Sequence, residues 1–322
     1  MAMETTVPKS LRIGWVAGLV LLLGVITLVM GRAEEQKFID LFRRSAPQWL
    51  VAAALLQSLT YVCAAASWQQ SLRRLGQFRS LSSLIPLGLA KLFTDQAVPS
   101  AGLSGTILLI HSLERRHISR EGALGTVLIE LVAYYASYIL CVAAALLVLW
   151  LHGDLSRSLL IPATALTLLA LGVPWLLFWL RRHPGFFLTD RLRHLPWFKS
   201  SLETLEAVPA AVLRSPTLMA RVIALHAMIF VLDALTLLVM LRAVGTHLPF
   251  AQVFACFIMA SVVATLLIMP GGLGTFEGTC VAMLHVFGVP LEVGLAATLL
   301  LRGFTFWLPM LPGLWLARRE MI

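Results

Sequence analysis

The chain has 322 residues, of which 59% are apolar and 13% are charged, and its mean hydropathy is +0.87. Soluble domains carry about 25% charged residues, so this composition excludes a water-soluble protein, a disordered chain and a disulfide-stapled secreted module. The net charge of +9 is typical of basic cytoplasmic loops in a membrane protein, and we expect no nucleic-acid partner. The composition predicts an all-α integral membrane protein with one polytopic domain over residues 1–322.

Six segments are apolar over about 20 residues, the length that crosses a bilayer as a helix. They are Leu11–Met30, Trp49–Ser71, Gly122–Leu151, Ser158–Leu180, Met219–Leu241 and Gly294–Ala317.

Two further apolar stretches, over residues 82–113 and 250–288, are each interrupted by a Pro/Gly break, the first at Pro99 and the second at Pro270. Such a break exposes backbone groups that lipid cannot satisfy, so it must lie inside protein or beside water. We therefore expect two re-entrant hairpins of broken helices. Two ordinary full spans in place of each hairpin remain the alternative.

The arginines and lysines indicate the orientation. With both hairpins re-entrant, most basic loops fall on one side, which the positive-inside rule makes cytoplasmic. We expect a bacterial inner-membrane (plasma membrane) protein with both termini in the cytoplasm. The basic segment 32–48 falls on the other side and is expected to form an amphipathic surface helix. The linker 181–218, with its prolines and aromatic residues, is expected to lie at the cytoplasmic interface.

The two hairpins are followed by similar strings. Gly122, Thr126 and Glu130 in the first have the same spacing as Gly294, Thr298 and Arg302 in the second. We therefore expect two repeats, over residues 49–151 and 219–317, in opposite orientations. Inverted repeats with broken helices that meet near the midplane are typical of transporters.

The second break contains the most informative string, Pro270-Gly-Gly-Leu-Gly-Thr-Phe-Glu277. Proline ends the first half-helix, and Gly271, Gly272 and Gly274 permit a sharp turn. Thr275 is expected to cap the next half-helix, whose N-terminus would form an anion site suited to a lipid phosphate. The alternative is a plain helix-turn-helix with close glycine packing.

An ionisable group deep in the membrane is costly and usually functional. Glu277 follows the second break, and we expect it to pair with Arg302. Arg302 is our candidate for holding a lipid phosphate, because guanidinium matches phosphate geometry. The alternatives are a structural cap for Glu277 and, for Arg302, a neutralised ion pair with Glu130 or Glu277.

Three more charges lie within apolar helices. Lys91 and Asp95 are four residues apart on one helical face, so they either pair with each other or line a polar path for a headgroup. Asp233 lies in the middle of a predicted span and must face the interior. Glu277, Asp233 and the histidines are possible proton sites. The four cysteines are expected to be buried, and we expect no metal site and no cofactor.

The string Pro270–Glu277, with Gly288-Val289 and Leu299–Arg302, resembles the flippase-like transmembrane domain of lysylphosphatidylglycerol synthetases, in its standalone form without the synthetase part. The first-break string Pro99–Gly105 is similar to these standalone members. The resemblance implies a role in lipid translocation, places Glu277 and Arg302 at the family's acid and arginine, and suggests a homodimer. The sequence departs from the family in the first copy, at Ser104 and at Leu131, so a cationic aminoacyl headgroup does not carry over.

These observations together predict a lipid flippase or transporter that moves or binds a polar lipid, with an anionic phospholipid expected, through a midplane cavity between the hairpins. We expect no enzymatic activity. The alternatives are a non-transporting scaffold or accessory subunit of a lipid-modifying complex and, less favoured, a membrane-embedded enzyme acting on a lipid headgroup.

Overall fold

The computed structural model describes residues 47–97, 102–152, 161, 164, 215–267 and 270–321. Four predicted segments lie wholly or largely outside the described residues: the spans Leu11–Met30 and Ser158–Leu180, the surface helix over residues 32–48 and the linker 181–218. All regular structure in the described ranges is helical, so the predicted all-α class is confirmed.

Nine α-helices make up the described part of the chain. They are α1 (Pro47–Arg74), α2 (Leu81–Ala97), α3 (Leu103–Arg115), α4 (Arg120–Leu151), α5 (Pro216–Ala243), α6 (Phe250–Leu266), α7 (Thr275–Val286), α8 (Leu291–Arg302) and α9 (Leu308–Met321). A 3₁₀ turn, Pro270–Gly272, lies between α6 and α7, and a π-helical turn, Gly303–Trp307, joins α8 to α9.

Four helices in these ranges are long and apolar enough to cross a membrane: α1, α4, α5 and the continuous α8–α9 segment Leu291–Glu320. They coincide with four of the six predicted spans. The fifth helix begins at Pro216, in the first turn where proline is tolerated, so residues 216–218 belong to the helix rather than to the preceding linker.

The described helices form two similar units, α1–α4 and α5–α9. The helices of the first have 28, 17, 13 and 32 residues, and their counterparts have 28, 17, 12 and 30. Each packed pair of the first unit also recurs in the second: α1–α2 with α5–α6, α2–α3 with α6–α7, α3–α4 with α7–α8, and α1–α4 with α5–α8.

The equivalent helices α1 and α5 pack against each other in opposite directions. At one end, the guanidinium of Arg242 near the C-terminus of α5 lies 5.9 Å from the ring of Trp49 near the N-terminus of α1. At the other end, Arg73 near the C-terminus of α1 and Thr217 near the N-terminus of α5 line the same surface pocket. The two units therefore run in opposite senses.

The two hairpins start from opposite ends of the molecule. Arg116, which follows α3, accepts a hydrogen bond from Arg79 just before α2, and it pairs with Glu320 at 2.7 Å. The first hairpin thus opens at the arginine-rich end. The second opens at the other end, where Phe287 lies 6.2 Å from His152 after α4.

The inner ends of both hairpins lie well inside the helical bundle, although residues 98–101 of the first break, with Pro99, are outside the described residues. Helix α4 begins beside the first hairpin's open end and is about 48 Å long, whereas α2 is about 25 Å long at the helical rise per residue. Since α3 returns to the end where α2 began, the first hairpin reaches only about halfway along α4. The turn Pro270–Gly272 packs against α2, so the second break meets the first hairpin.

The largest apolar core of the described residues combines α4, α5, α6, α7 and α8 with Ala53 of α1. Large apolar side chains also remain exposed on the outer faces of the long helices, as expected for surfaces that contact lipid. They include Leu55, Leu59, Leu140, Leu147, Trp150, Leu311 and Trp315.

Candidate functional site

The second break turns through three glycines with positive φ, Gly271 (59°), Gly272 (64°) and Gly274 (78°), a region that L-residues with a side chain rarely adopt. Two of them also have no room for a Cβ atom. A Cβ on Gly271 would overlap the ring of Phe306, and one on Gly272 would lie 2.9 Å from the Cβ of Ala264. The predicted turn and the close glycine packing therefore occur together.

Glu277 and Arg302 form a buried ion pair beside this break. Arg302 Nε donates to Glu277 Oε1 at 2.7 Å, and the side chains are 10% and 1% exposed, respectively. The other carboxylate oxygen, Oε2, accepts the backbone N–H of Gly274 at 2.6 Å, and Arg302 Nη2 donates to the carbonyl of Gly271. The expected pairing of Glu277 with Arg302 is present, and Glu277 is also a structural cap.

The start of α7 differs from the expectation in one respect. The N-cap is Gly274, not Thr275, and the hydroxyl of Thr275 donates backwards to the carbonyl of Gly272 at 3.0 Å. Thr275 is the first helical residue, so its side chain is one position too late to cap. The carboxylate of Glu277 already lies at this N-terminus, where a negative charge is favoured.

Two aromatic rings enclose the guanidinium of Arg302. Its Cζ lies 5.3 Å from the ring centroid of Phe276 and 4.5 Å from that of Phe306, distances at which a cation is attracted to a ring face. Phe306 is fully buried and lies in the π-helical turn directly after Arg302. π-Helical turns often occur at functional sites. The sequence predicted one continuous span over Gly294–Ala317 and did not indicate this turn.

The first break carries a second ion pair, between Lys91 and Asp95 of α2. Lys91 Nζ donates to Asp95 Oδ2 at 2.9 Å, and Asp95 Oδ1 accepts the backbone N–H of Gly105 at 2.8 Å. These side chains are 23% and 21% exposed, so this pair is more accessible than the Glu277–Arg302 pair. The pairing was one of the two expected outcomes.

Glu130 lies with the first pair and not with Arg302. It accepts a hydrogen bond from the indole N–H of Trp68 on α1, and its carboxylate interacts electrostatically with Lys91. Lys91, Asp95 and Glu130 thus form one cluster, called here the α2–α4 cluster. Sequence reasoning missed Trp68, although its position among polar residues of an otherwise apolar span was a usable signal.

Asp233 lies apart from both breaks, in the seam where α5 packs against α1. Its Oδ1 accepts a hydrogen bond from the amide of Gln57 at 2.9 Å, and the same amide donates to the hydroxyl of Thr236 at 3.0 Å. Asp233 faces the interior, as expected. The two residues that complete this contact were missed.

The α1–α5 seam has a second polar contact, between Ser67 and His226 Nε2 at 3.3 Å. When α1 and α5 are aligned at their first residues, Gln57 corresponds to His226, and Ser67 corresponds to Thr236. The two contacts are therefore equivalent. In each, the earlier position of one helix contacts the later position of the other helix. Asp233 has no such counterpart, since Ala64 occupies the corresponding position of α1.

Among the described residues, no three of the His, Cys, Asp and Glu side chains lie close enough to hold a metal ion. Cys63, Cys141, Cys256 and Cys280 are free and buried. Tyr138 packs in the core, donating to the hydroxyl of Ser261 at 2.9 Å. In these ranges the ion pairs lie at the two breaks and at the arginine-rich end.

Two comparisons with known proteins agree with this architecture. The chain is 23% identical over 308 residues to a UPF0104 membrane protein of Methanothermobacter thermautotrophicus, an alignment that covers 90% of this chain and 89% of that protein. Residues 15–313 match the family described as the lysylphosphatidylglycerol synthase TM region. Both comparisons support a multi-pass membrane protein, and the chain belongs to the lysylphosphatidylglycerol synthase TM region family.

Proposed function

We propose that the protein moves a polar lipid between the leaflets of the membrane, with the headgroup passing between the two hairpins and the acyl chains remaining in the bilayer. The observation that carries this proposal is that two hairpins of opposite sense meet inside the bundle, where the second break packs against α2 of the first hairpin. Inverted repeats of broken helices can open one central site alternately to the two faces.

Accessibility favours the α2–α4 cluster as the contact for the headgroup. Arg302 uses Nε and Nη2 for Glu277 and Gly271, and its side chain is only 10% exposed. An ammonium group has three N–H donors, and Lys91 gives one of them to Asp95 while 23% of its side chain is exposed. Lys91 is therefore better placed than Arg302 to take a phosphate.

The Glu277–Arg302 pair and the three glycines have a different role in this proposal. They hold the second break rigid against α2, because the turn Pro270–Gly272 packs on that helix. Gly271, Gly272, Gly274 and Thr275 would then shape the wall of the pathway without binding the phosphate directly.

The proposal also includes the substrate, the orientation and the oligomeric state. An anionic phospholipid is the proposed substrate, because its phosphate is opposite in charge to the ammonium of Lys91. The arginines at the ends of α1, α3 and α9 favour a cytoplasmic orientation of that end, hence a cytoplasmic C-terminus, in the plasma membrane. In this proposal the protein acts without enzymatic chemistry and without a cofactor. It also forms a homodimer.

Transport is tested in proteoliposomes. Phosphatidylglycerol and phosphatidylcholine, each labelled on an acyl chain with a fluorophore, are incorporated separately, and the rate at which the label reaches an outer quencher is measured. The wild-type protein should accelerate the movement of phosphatidylglycerol over protein-free vesicles, and Lys91→Gln should slow it at least about tenfold, an effect of about 1.4 kcal/mol on the barrier.

Arg116→Gln is the matched control, because Arg116 also pairs with a carboxylate but lies at the arginine-rich end outside the pathway. It should transport like the wild type. Wild-type rates equal to those of protein-free vesicles for both lipids would contradict transport and would leave the scaffold alternative, in which Lys91→Gln retains the activity of the associated complex.

A further inference from the structure

Asp233 differs from the other acidic residues inside the described helical bundle. Asp95 pairs with Lys91, and Glu277 pairs with Arg302. Glu130 has the indole N–H of Trp68 and the nearby charge of Lys91. Asp233 has the amide of Gln57 at 2.9 Å and no basic side chain of the described residues within ion-pair distance.

The surroundings of Asp233 contain few charges that could compensate it. The titratable groups facing it are Tyr61 on α1 and Tyr134 on α4, both of which interact with its carboxylate. On its own helix, His226 lies two turns away and is bonded to Ser67. Helices α6 and α8 also pack against α5. Their titratable groups are Cys256, Glu292 and Arg302, and none of them bonds to Asp233.

A carboxylate in the membrane interior without a cation is costly, since neither lipid nor a neutral amide replaces its hydration. The cost disappears when the carboxylate takes up a proton, because the resulting acid is neutral and retains its hydrogen bond to Gln57. Among the described residues Asp233 is only half-buried, and these residues leave its second oxygen open to a proton without separation of α1 from α5.

The position of Asp233 connects this charge to both units. The α1–α5 seam joins the two equivalent helices through the symmetric contacts Gln57–Thr236 and Ser67–His226. Asp233 shares the amide of Gln57 with one of these contacts and has no counterpart in α1. A charge on Asp233 therefore affects the Gln57–Thr236 contact directly and the equivalent Ser67–His226 contact only indirectly.

We propose that Asp233 is a proton-binding site that couples the proposed lipid movement to a proton gradient. A water-borne proton adds to Oδ2, and the neutral acid packs in the closed seam beside Gln57. Loss of the proton to water restores the carboxylate, which needs hydration and so favours separation of α1 and α5 at this level. This proposal rests on the proposed transport function, but proton binding is measurable without transport.

Proton binding is tested by infrared spectroscopy of the protein in lipid membranes as the pH is varied. The wild type should gain the stretching band of a protonated carboxyl group as the pH is lowered from neutral into the mildly acidic range, and Asp233→Asn should lack this change. Glu121→Gln is the matched control, because it removes an exposed carboxyl group in the first turn of α4, outside the α1–α5 seam, and it should retain the band. A band that Asp233→Asn leaves unchanged would overturn the proposal.

Coupling is tested in proteoliposomes carrying fluorophore-labelled phosphatidylglycerol, with a pH gradient of one unit imposed. The wild type should build up an asymmetry between leaflets of up to about tenfold for one proton per lipid, and a protonophore should abolish it. Asp233→Asn should only equilibrate the lipid, with or without the gradient, whereas Glu121→Gln should behave like the wild type. Asymmetry driven by a sodium gradient instead of a pH gradient would overturn the assignment to protons. Wild-type protein that moves no lipid would contradict the proposed transport, while the infrared result would still decide proton binding.

Discussion

Asp95 and Glu277 each accept a backbone N–H at the start of the half-helix that follows a break, but they come from opposite halves of their hairpins. Asp95 belongs to α2 and bonds to Gly105 in α3, whereas Glu277 belongs to α7 and bonds to Gly274. Aligning the two units places Ala264 opposite Asp95 and Gly105 opposite Glu277. Each break thus has one carboxylate and, at the position of the missing one, a small residue.

This arrangement makes Gly105 intolerant of substitution. A Cβ atom at this position would lie 2.5 Å from the carboxylate of Asp95. Gly105→Ala should displace Asp95, disturb its pair with Lys91 and lower the free energy of unfolding by about 1–3 kcal/mol. Thermal unfolding in detergent measures this. Gly303→Ala is the control, because a Cβ there meets no atom within 4 Å; equal melting temperatures for the two variants would contradict the prediction.

The Glu277–Arg302 pair should be strongly coupled. Glu277→Gln leaves the guanidinium buried without a counter-charge and should cost about 3–5 kcal/mol of unfolding free energy, as breaking a buried pair usually does. The double variant Glu277→Gln with Arg302→Met should lose less than the single variant. Unfolding titrations in mixed micelles give both values.

The comparison pair for this experiment is Arg116–Glu320, whose side chains are 22% and 12% exposed at the arginine-rich end. Glu320→Gln should cost only about 1 kcal/mol or less, because pairs near the surface gain little over water. If the single variant at Glu277 were no more damaging than this one, the pair would not hold the second break.

Alanine substitutions at Gly271 and Gly288 distinguish the cost of steric overlap from the cost of backbone strain. Both have positive φ, 59° and 81°, but a Cβ at Gly271 would overlap Phe306, whereas one at Gly288 meets nothing within 4 Å. Each change to alanine carries the strain of a positive φ, about 1–2 kcal/mol, so Gly271→Ala should be the more destabilising by the additional overlap. A chemical-unfolding comparison measures the difference, and a larger loss at Gly288 would refute the packing described here.

The opposite senses of the two units predict opposite labelling of their equivalent loops. Ser80 before α2 and His247 before α6 are both exposed. In intact cells, a membrane-impermeant thiol reagent should label His247→Cys and not Ser80→Cys, and lysed cells should show labelling of both. The described native cysteines are buried, which keeps the background low. Labelling of both variants from outside would contradict the antiparallel arrangement.

The architecture follows largely from local properties that the sequence contains. Runs of apolar residues with few charges predicted the four described spans within a few residues, because hydrocarbon requires a satisfied backbone over a definite length. Pro270 and the glycines after it predicted the second break, because they prevent helical continuation. Glu277 and Arg302 were identified because charges in apolar runs need partners.

The tertiary structure decided how these charges combine. The sequence spacing made Glu130 and Arg302 equivalent, yet Glu130 bonds to Trp68 and Arg302 to Glu277, because each charge takes the partner that its neighbouring helices bring within reach. The symmetric contacts of the α1–α5 seam were also hidden, since they join residues that are far apart in the chain and depend on the antiparallel packing of two equivalent helices. Local composition determines which segments enter the membrane, and only packing determines which buried charges remain compensated there and which, like Asp233, do not.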